Sequence, residues 1–339
     1  TNASYREFFV LEDADPTETI LARAYKSDET VTVRHGIQFD MMNGKRCATT
    51  RFVNHYLKSN GQPYTEAELE TMQYYDQFQG RDPRIAQTLH GPSYVAIGAE
   101  AHEGLNWERT VSGYRIIKYI SDASHEGATT STSDFVLFRY AEVLLNYAEA
   151  KAELGTLTDA DVAATIDLIR DRVGMPKMKT VPTVADPVME KYYPNAKGAQ
   201  KAAILEIRRE RTVELCFEGF RQWDLLRWKE GKWLTPASTK GFQGIYLPGL
   251  GEYDLDKDGK IDICVYQGTK PSTTAPSSNV LEIGKNWTLT EGTKGNLTYY
   301  ASENYTWDEG KDYLWPIPED QRQITNGALS QNPGWSDGL

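Results

Sequence analysis

Apolar residues recur at three- and four-residue steps through SDFVLFRYAEVLLNYAEAKAELG, where Phe135, Phe138, Ala141, Leu144, Leu145, Ala148 and Ala152 share one face. The spacing predicts a helix. Ser133 or Asp134 is expected to cap its start by accepting backbone N–H bonds, and Gly155 to close it in a left-handed conformation. A second amphipathic stretch begins at Thr158 and Asp159, runs through VAATIDLIRDRVG and stops at Gly174 and Pro176. A third, AQKAAILEIRRERTVELCFEG, places Ile204, Ile207, Val213 and Leu215 on its apolar side before Gly219 interrupts it, and FRQWDLLRWKEG resumes as a shorter helix.

The period is lost elsewhere. Residues 1–130 are mixed and loop-rich, with one expected helix near TEAELETMQYYDQFQ, and residues 235–312, rich in Gly, Thr, Ser, Asn and Tyr, read as short strands and long loops. Near the end, the two prolines of WPIP predict an extended segment that buries Trp315 and Ile317 against helices. The expected fold is mainly α: helix hairpins of tetratricopeptide type at about 134–174 and 198–231 form a scaffold, and a loop-rich, minor-β face is built on it. Loops this long in one chain are usually functional.

Composition narrows the function. The 339 residues carry a formal net charge of −11, the opposite of what a phosphate-tracking surface requires, so nucleic acid is not an expected partner. Cys47, Cys216 and Cys264 make no disulfide framework, and the five histidines show no ligand spacing. The chain opens on Thr1 without a methionine and reads as a mature protein or a fragment of one. Glu206, Glu210, Glu214 and Glu218 form an i, i+4 ladder among Arg208, Arg209 and Arg211; it reads first as an ion-paired helix face and second as acid–base machinery.

Five phrases occur in a fixed order: GRDPRIAQTL, SGYRIIKYI, FRYAEVLLNYAEAKAELG, IRRERTVELCFEGFRQWDLLRWKEG and YLWPIPEDQRQITNGALSQNPGW. Their content and order resemble the SusD/RagB family of surface nutrient-binding lipoproteins of Bacteroidetes, over about residues 64–335. The resemblance implies a non-catalytic protein at the cell surface, anchored to the outer membrane as a lipoprotein. It also implies delivery of glycans, or in some cases peptides, to a SusC-like TonB-dependent transporter, and a chain that is the C-terminal two-thirds of such a protein, without the N-terminal helix pairs. The phrase RDPR reads as a rigid corner in which Arg81 and Arg84 each hold a carbonyl or carboxylate.

A sugar ring stacks its C–H face on aromatic rings and offers hydroxyls to amides and charged groups. The segment at 90–115 supplies those types, so Trp107, Tyr94, Tyr114, Asn106 and Arg109 are the candidate ligand residues, with a buried anchor as the other reading of Trp107. A second aromatic group, Trp287, Tyr299, Tyr300, Tyr305 and Trp307, reads as cross-strand pairing. In DLDKDGKID, Asp254, Asp256, Asp258, Lys260 through its carbonyl, and Asp262 match the first positions of a calcium loop around Gly259. Val265 stands where the bidentate acid belongs, and a strand follows, so calcium is expected as a structural staple. Two further functions stay open: a peptide- or protein-gripping helical scaffold, favoured by a concave groove with exposed Asn and Lys, and a glycosidase, favoured by two carboxylates converging in a cleft.

Overall fold

The long helix starts later than its periodicity predicts. The computed structural model describes residues 4–235, 242–299 and 305–336, and in it Phe135–Arg139 is a strand antiparallel to Thr19–Arg23, with the helix running over Tyr140–Glu153. Phe135, Val136 and Phe138 suit a strand as well as a helix face, and pairing with Thr19–Arg23 decides between them. Asp134 therefore caps nothing. Its carboxylate accepts the N–H groups of Ala14 (3.0 Å) and Tyr25 (2.9 Å) and so ties down the N-terminal segment. The C-terminal end is as expected, with Gly155 at φ +71°.

The second stretch forms two helices, Asp159–Ala164 and Ile166–Arg172. Thr158 and Asp161 close a reciprocal cap at the start, and the Thr165 hydroxyl donates to the Asp161 carbonyl (2.6 Å) at the break between them. The third stretch gives Lys201–Glu214 and Arg221–Arg227, separated by Phe217 and Gly219 at positive φ. Leu144, Leu145, Ala148, Ile166, Ile169, Ile204, Ile207, Leu225 and Trp228 from these helices share one core.

The loop-rich part has its own core, including Tyr56, Ile85, Trp107, Tyr114, Ile245, Val265, Leu281 and Leu297. Two small sheets frame it: Gly295–Tyr299 between Phe242–Leu247 and Trp287–Leu289, and Ile263–Tyr266 between Gly251–Tyr253 and Val280–Glu282. Trp287 faces Tyr299 across its strand pair at 5.4 Å, the cross-strand contact that the sequence suggests; Tyr300 lies outside the described residues. Trp315 is a correction. It is 72% exposed, because the segment around it bonds to itself, with Asn332 donating to the Trp315 carbonyl and Gln331 to that of Ile317. No helix among the described residues is long and apolar enough to cross a membrane.

The glutamate ladder joins the two cores. Glu206 pairs with Arg170 and Arg209, Glu210 with Arg84 and Arg170, Glu214 with Arg84, Arg139 and Arg172, and Glu218 with Arg139 and Lys118. Arg84 also grips Asp82 through two parallel bonds (3.1 and 2.7 Å), and Arg81 donates to the carbonyls of Tyr56 and Gln77, which makes the RDPR corner rigid. Burial pushes the Glu214 carboxyl up, but Arg172, Arg139 and Arg84 outweigh it and hold it well below the usual range; Glu206 and Glu218 are lowered in the same way by their partners.

Two outcomes follow from this network. Glu214→Gln leaves three guanidinium groups short of a counter-charge in a dry site, and chemical denaturation should show a loss of about 3–5 kcal/mol. Because the folded carboxyls titrate below their unfolded values, they add stability above about pH 4.3 and lose it as pH falls. The melting temperature should therefore drop steadily below about pH 5, and Glu214→Gln should flatten that drop.

Candidate functional site

The candidate ligand residues of the 90–115 segment do not form one exposed face. Trp107 is 2% exposed and packs in the second core. Its backbone N–H donates to Asn279 Oδ1 (2.9 Å), while Asn279 Nδ2 donates to the carbonyls of Leu105 and Asp262, so one buried amide ties this loop to the neighbouring hairpin. Tyr114 is also buried, its hydroxyl donating to Gln77 Oε1 (2.6 Å). Tyr94 is buried beneath Arg6, whose guanidinium lies 5.2 Å from the ring centre, and beside His90. Buried rings offer no surface for a sugar to stack on. Asn106 and Arg109 are half-buried in a tight turn, where Asn106 Oδ1 accepts the Glu108 N–H and the Asn106 carbonyl accepts that of Arg109.

The aspartate loop sits between the antiparallel strands Gly251–Tyr253 and Ile263–Tyr266, so a strand does follow it. Carboxylate oxygens of Asp254, Asp256 and Asp262 lie within 4.8 Å of one another. Asp258 turns aside to Lys260 Nζ (2.7 Å) and does not join that group. Burial first, and then the Asp256 charge, push the Asp262 carboxyl up to about 6, against N–H groups of Leu255 and Asp256 that favour its charged form. His102 Nε2 approaches Asp256 Oδ2 at 3.5 Å. Three crowded acids of this kind suit a hard divalent cation with oxygen ligands.

Aromatic and polar groups converge in a different place. A cavity of about 820 Å³ opens beside the segment 47–54, which holds the short helix Thr50–Val53, the helix Pro187–Tyr192 and the turn around Trp233, with Phe242 and Asn296 closing the far side. Phe52, Phe217, Phe242 and Leu234 supply apolar wall. At one end, Arg51 is held among rings, with its guanidinium 3.6 Å from the Trp233 centroid and 4.9 Å from that of Tyr192, and it donates to the Tyr192 carbonyl (2.6 Å). Burial lowers the Arg51 pKa to about 9, and its Nε has no protein partner among the described residues. Asn54 Nδ2 reaches the Tyr192 hydroxyl (3.0 Å), and Asn296 Nδ2 reaches Gly244 O (2.9 Å). His55, behind this wall, bonds to the Tyr193 hydroxyl (2.7 Å) and is held neutral by burial and by Arg221, Arg51 and Arg209.

None of these cavity residues stands out in the sequence. Arg51, Asn54, Tyr192, Trp233 and Asn296 come from four separate segments, and only the long-range packing of helix against sheet brings them together. Trp233 lies in a short turn, Gly231–Leu234, soon after the helix Arg221–Arg227, and the other segments carry no local motif.

Comparison with known proteins is consistent in direction. No curated protein matches the chain. Among solved structures, it is similar to a SusD-like protein from Bacteroides fragilis, at 20% identity and a TM-score of 0.57, over 99% of this chain and 57% of that one. It is also similar to a SusD-like carbohydrate binding protein from the same organism, at 18% identity and a TM-score of 0.54, over 91% of this chain and 53% of that one. The chain thus spans little more than half the length of these structures, which share its fold. The model of the SusD family matches from residue 17, well before the segment where the sequence resemblance becomes distinct, to residue 335. By that match, which takes in the helical scaffold, the RDPR corner and the loops around the cavity, the chain belongs to the SusD family.

Proposed function

We propose that the chain binds oligosaccharides non-catalytically at the Arg51–Trp233 cavity. The observation that carries this reading is the cavity itself: aromatic rings and apolar walls beside amides and a buried guanidinium, in a chain of the SusD family. A sugar would place its C–H face on the rings and its hydroxyls against Asn54 and Asn296. A fold neighbour described as carbohydrate binding supports the ligand class. Catalysis by the glutamate ladder has no support, since each of its carboxylates is engaged by Arg or Lys within the protein and no enzyme family is indicated. Family membership supports a place at the cell surface as an outer-membrane lipoprotein that passes glycan to a SusC-like TonB-dependent transporter. In the same proposal Asp254, Asp256 and Asp262 hold a calcium ion that fastens the hairpin against the Trp107 loop.

Calorimetry against a panel of plant, host and microbial polysaccharides tests the binding. Trp233→Ala should weaken binding of the glycan found by about 1–3 kcal/mol with a small change in melting temperature. Trp107→Ala should do the opposite, costing about 3–5 kcal/mol of stability and leaving the affinity of the folded fraction unchanged. Panel-wide silence, together with saturable binding of peptides, would replace glycan by peptide. For the ion, adding calcium should raise the melting temperature and a chelator should reverse it. Asp256→Asn with Asp262→Asn should abolish the calcium effect; equal melting curves with and without calcium would reject the site.

A further inference from the structure

Phe217 has a backbone conformation that its residue type disfavours. It lies at φ +60°, in the left-handed region that a bulky side chain rarely adopts. Its neighbours hold it there. Lys118 donates to the Cys216 carbonyl (2.8 Å), the Tyr119 hydroxyl donates to the carbonyl of Phe217 itself (3.3 Å), and Arg139 and Lys118 grip the Glu218 carboxylate, both at 2.6 Å. Strain that the surroundings over-determine concentrates at ligand clamps and active sites, so the placement of this half-buried ring calls for a use.

Phe217 borders two cavities. It lines the cavity of about 820 Å³ that also holds Arg51 and Trp233, where Phe52 packs against it with 5.3 Å between ring centres. It lines a second cavity as well, of about 380 Å³, with Ile37, Met41, Tyr119 and Phe135 as apolar wall and Asp40 as the polar group. The same run of chain serves both, since the helix Ile37–Asn43 borders the smaller cavity and the segment 47–54 the larger. We propose that one oligosaccharide occupies both cavities and crosses Phe217, so that the protein selects extended glycan chains over short ones. The inference rests on the glycan-binding reading and adds a second subsite and a length requirement to it. A sugar in the smaller cavity would lay its C–H face on Phe217 or Phe135 and donate a hydroxyl to Asp40, whose carboxylate Arg46 holds at 3.0 Å. A peptide would leave most of its amides unpaired against these walls, whereas a sugar ring has an apolar face to set on them.

Calorimetry with length ladders of malto-, cello-, xylo- and mannooligosaccharides tests this. For the ladder that binds, affinity should rise about tenfold or more between oligomers that fill the larger cavity alone and those long enough to pass Phe217, and then level off. Phe217→Gly keeps the left-handed backbone and removes the ring, and it should abolish that rise. Ile37→Glu sets a charge on the wall of the smaller cavity, in the first turn of its helix where an acid is tolerated. It should abolish the rise while short oligomers still bind, and it decides the matter even if the Phe217 variant fails to fold. Trp233→Ala should weaken short and long oligomers alike. An affinity independent of length, or a rise that survives Ile37→Glu, overturns the second subsite alone. Failure of every oligomer to bind overturns the cavity reading with it.

Discussion

One helix, Lys201–Glu214, fixes the relation of almost everything else, and it does so through buried charge. Its glutamates, continued by Glu218, meet cations from four places: Arg84 of the RDPR corner, Lys118 of the following segment, Arg139 at the start of the long helix, and Arg170 and Arg172 at the end of its neighbour. Each pair is costly to desolvate and repaid only in a good geometry, so wrong arrangements of these segments are penalised more than the right one is favoured. On this argument the ladder gives specificity more than net stability. Four of the five family phrases cluster around it for a physical reason, since each of the four contributes a residue to the same network.

The remaining faces of that helix have separate duties. Ile204 and Ile207 enter the helical core. Arg209 ties to Asp186 and to the His55 carbonyl (3.2 Å), which sets Tyr192 beside the short helix that bears Arg51 and ends at Asn54 and so forms one end of the cavity. Arg208 and Arg211 line an open groove on another side, between this helix and the helices Tyr140–Glu153 and Arg221–Arg227.

Much of the scaffold is legible in the sequence because helical periodicity and caps are local. Gly155, Gly174 and Gly219 mark the expected ends, and the ladder spacing already shows that four carboxylates share one stripe. The misread start at Ser133 has a plain cause: Phe135–Phe138 satisfies both periods, and the deciding partner, Thr19–Arg23, is remote in the chain. Trp107 shows the same limit for the site. An aromatic residue in a polar loop is compatible with a stacking platform or with a buried anchor, and what chooses between them is Asn279, which no local pattern connects to it. The aspartate loop is legible in part, because backbone turns set the positions of Asp254, Asp256 and Asp262, whereas Asp258 answers to a lysine two residues away.

The loop-rich half raises a further question, since irregular backbone deep in a protein leaves carbonyls that no ladder satisfies. Long side chains supply the donors here. Arg81 serves Tyr56 and Gln77, Lys118 serves Cys216, Arg139 serves Glu214, Arg51 serves Tyr192, Arg209 serves His55, and Asn279 serves Leu105 and Asp262. Most of these are cations that also hold an anion or a ring, so the charge network and the backbone of the loops are the same construction. A loop secured in this way can expose its remaining side chains to a ligand without first paying to become ordered. That explains how a cavity built from distant segments, with one side on the strand pair Phe242–Leu247 and Gly295–Tyr299, can be preformed, with side-chain amides and an arginine as its polar groups.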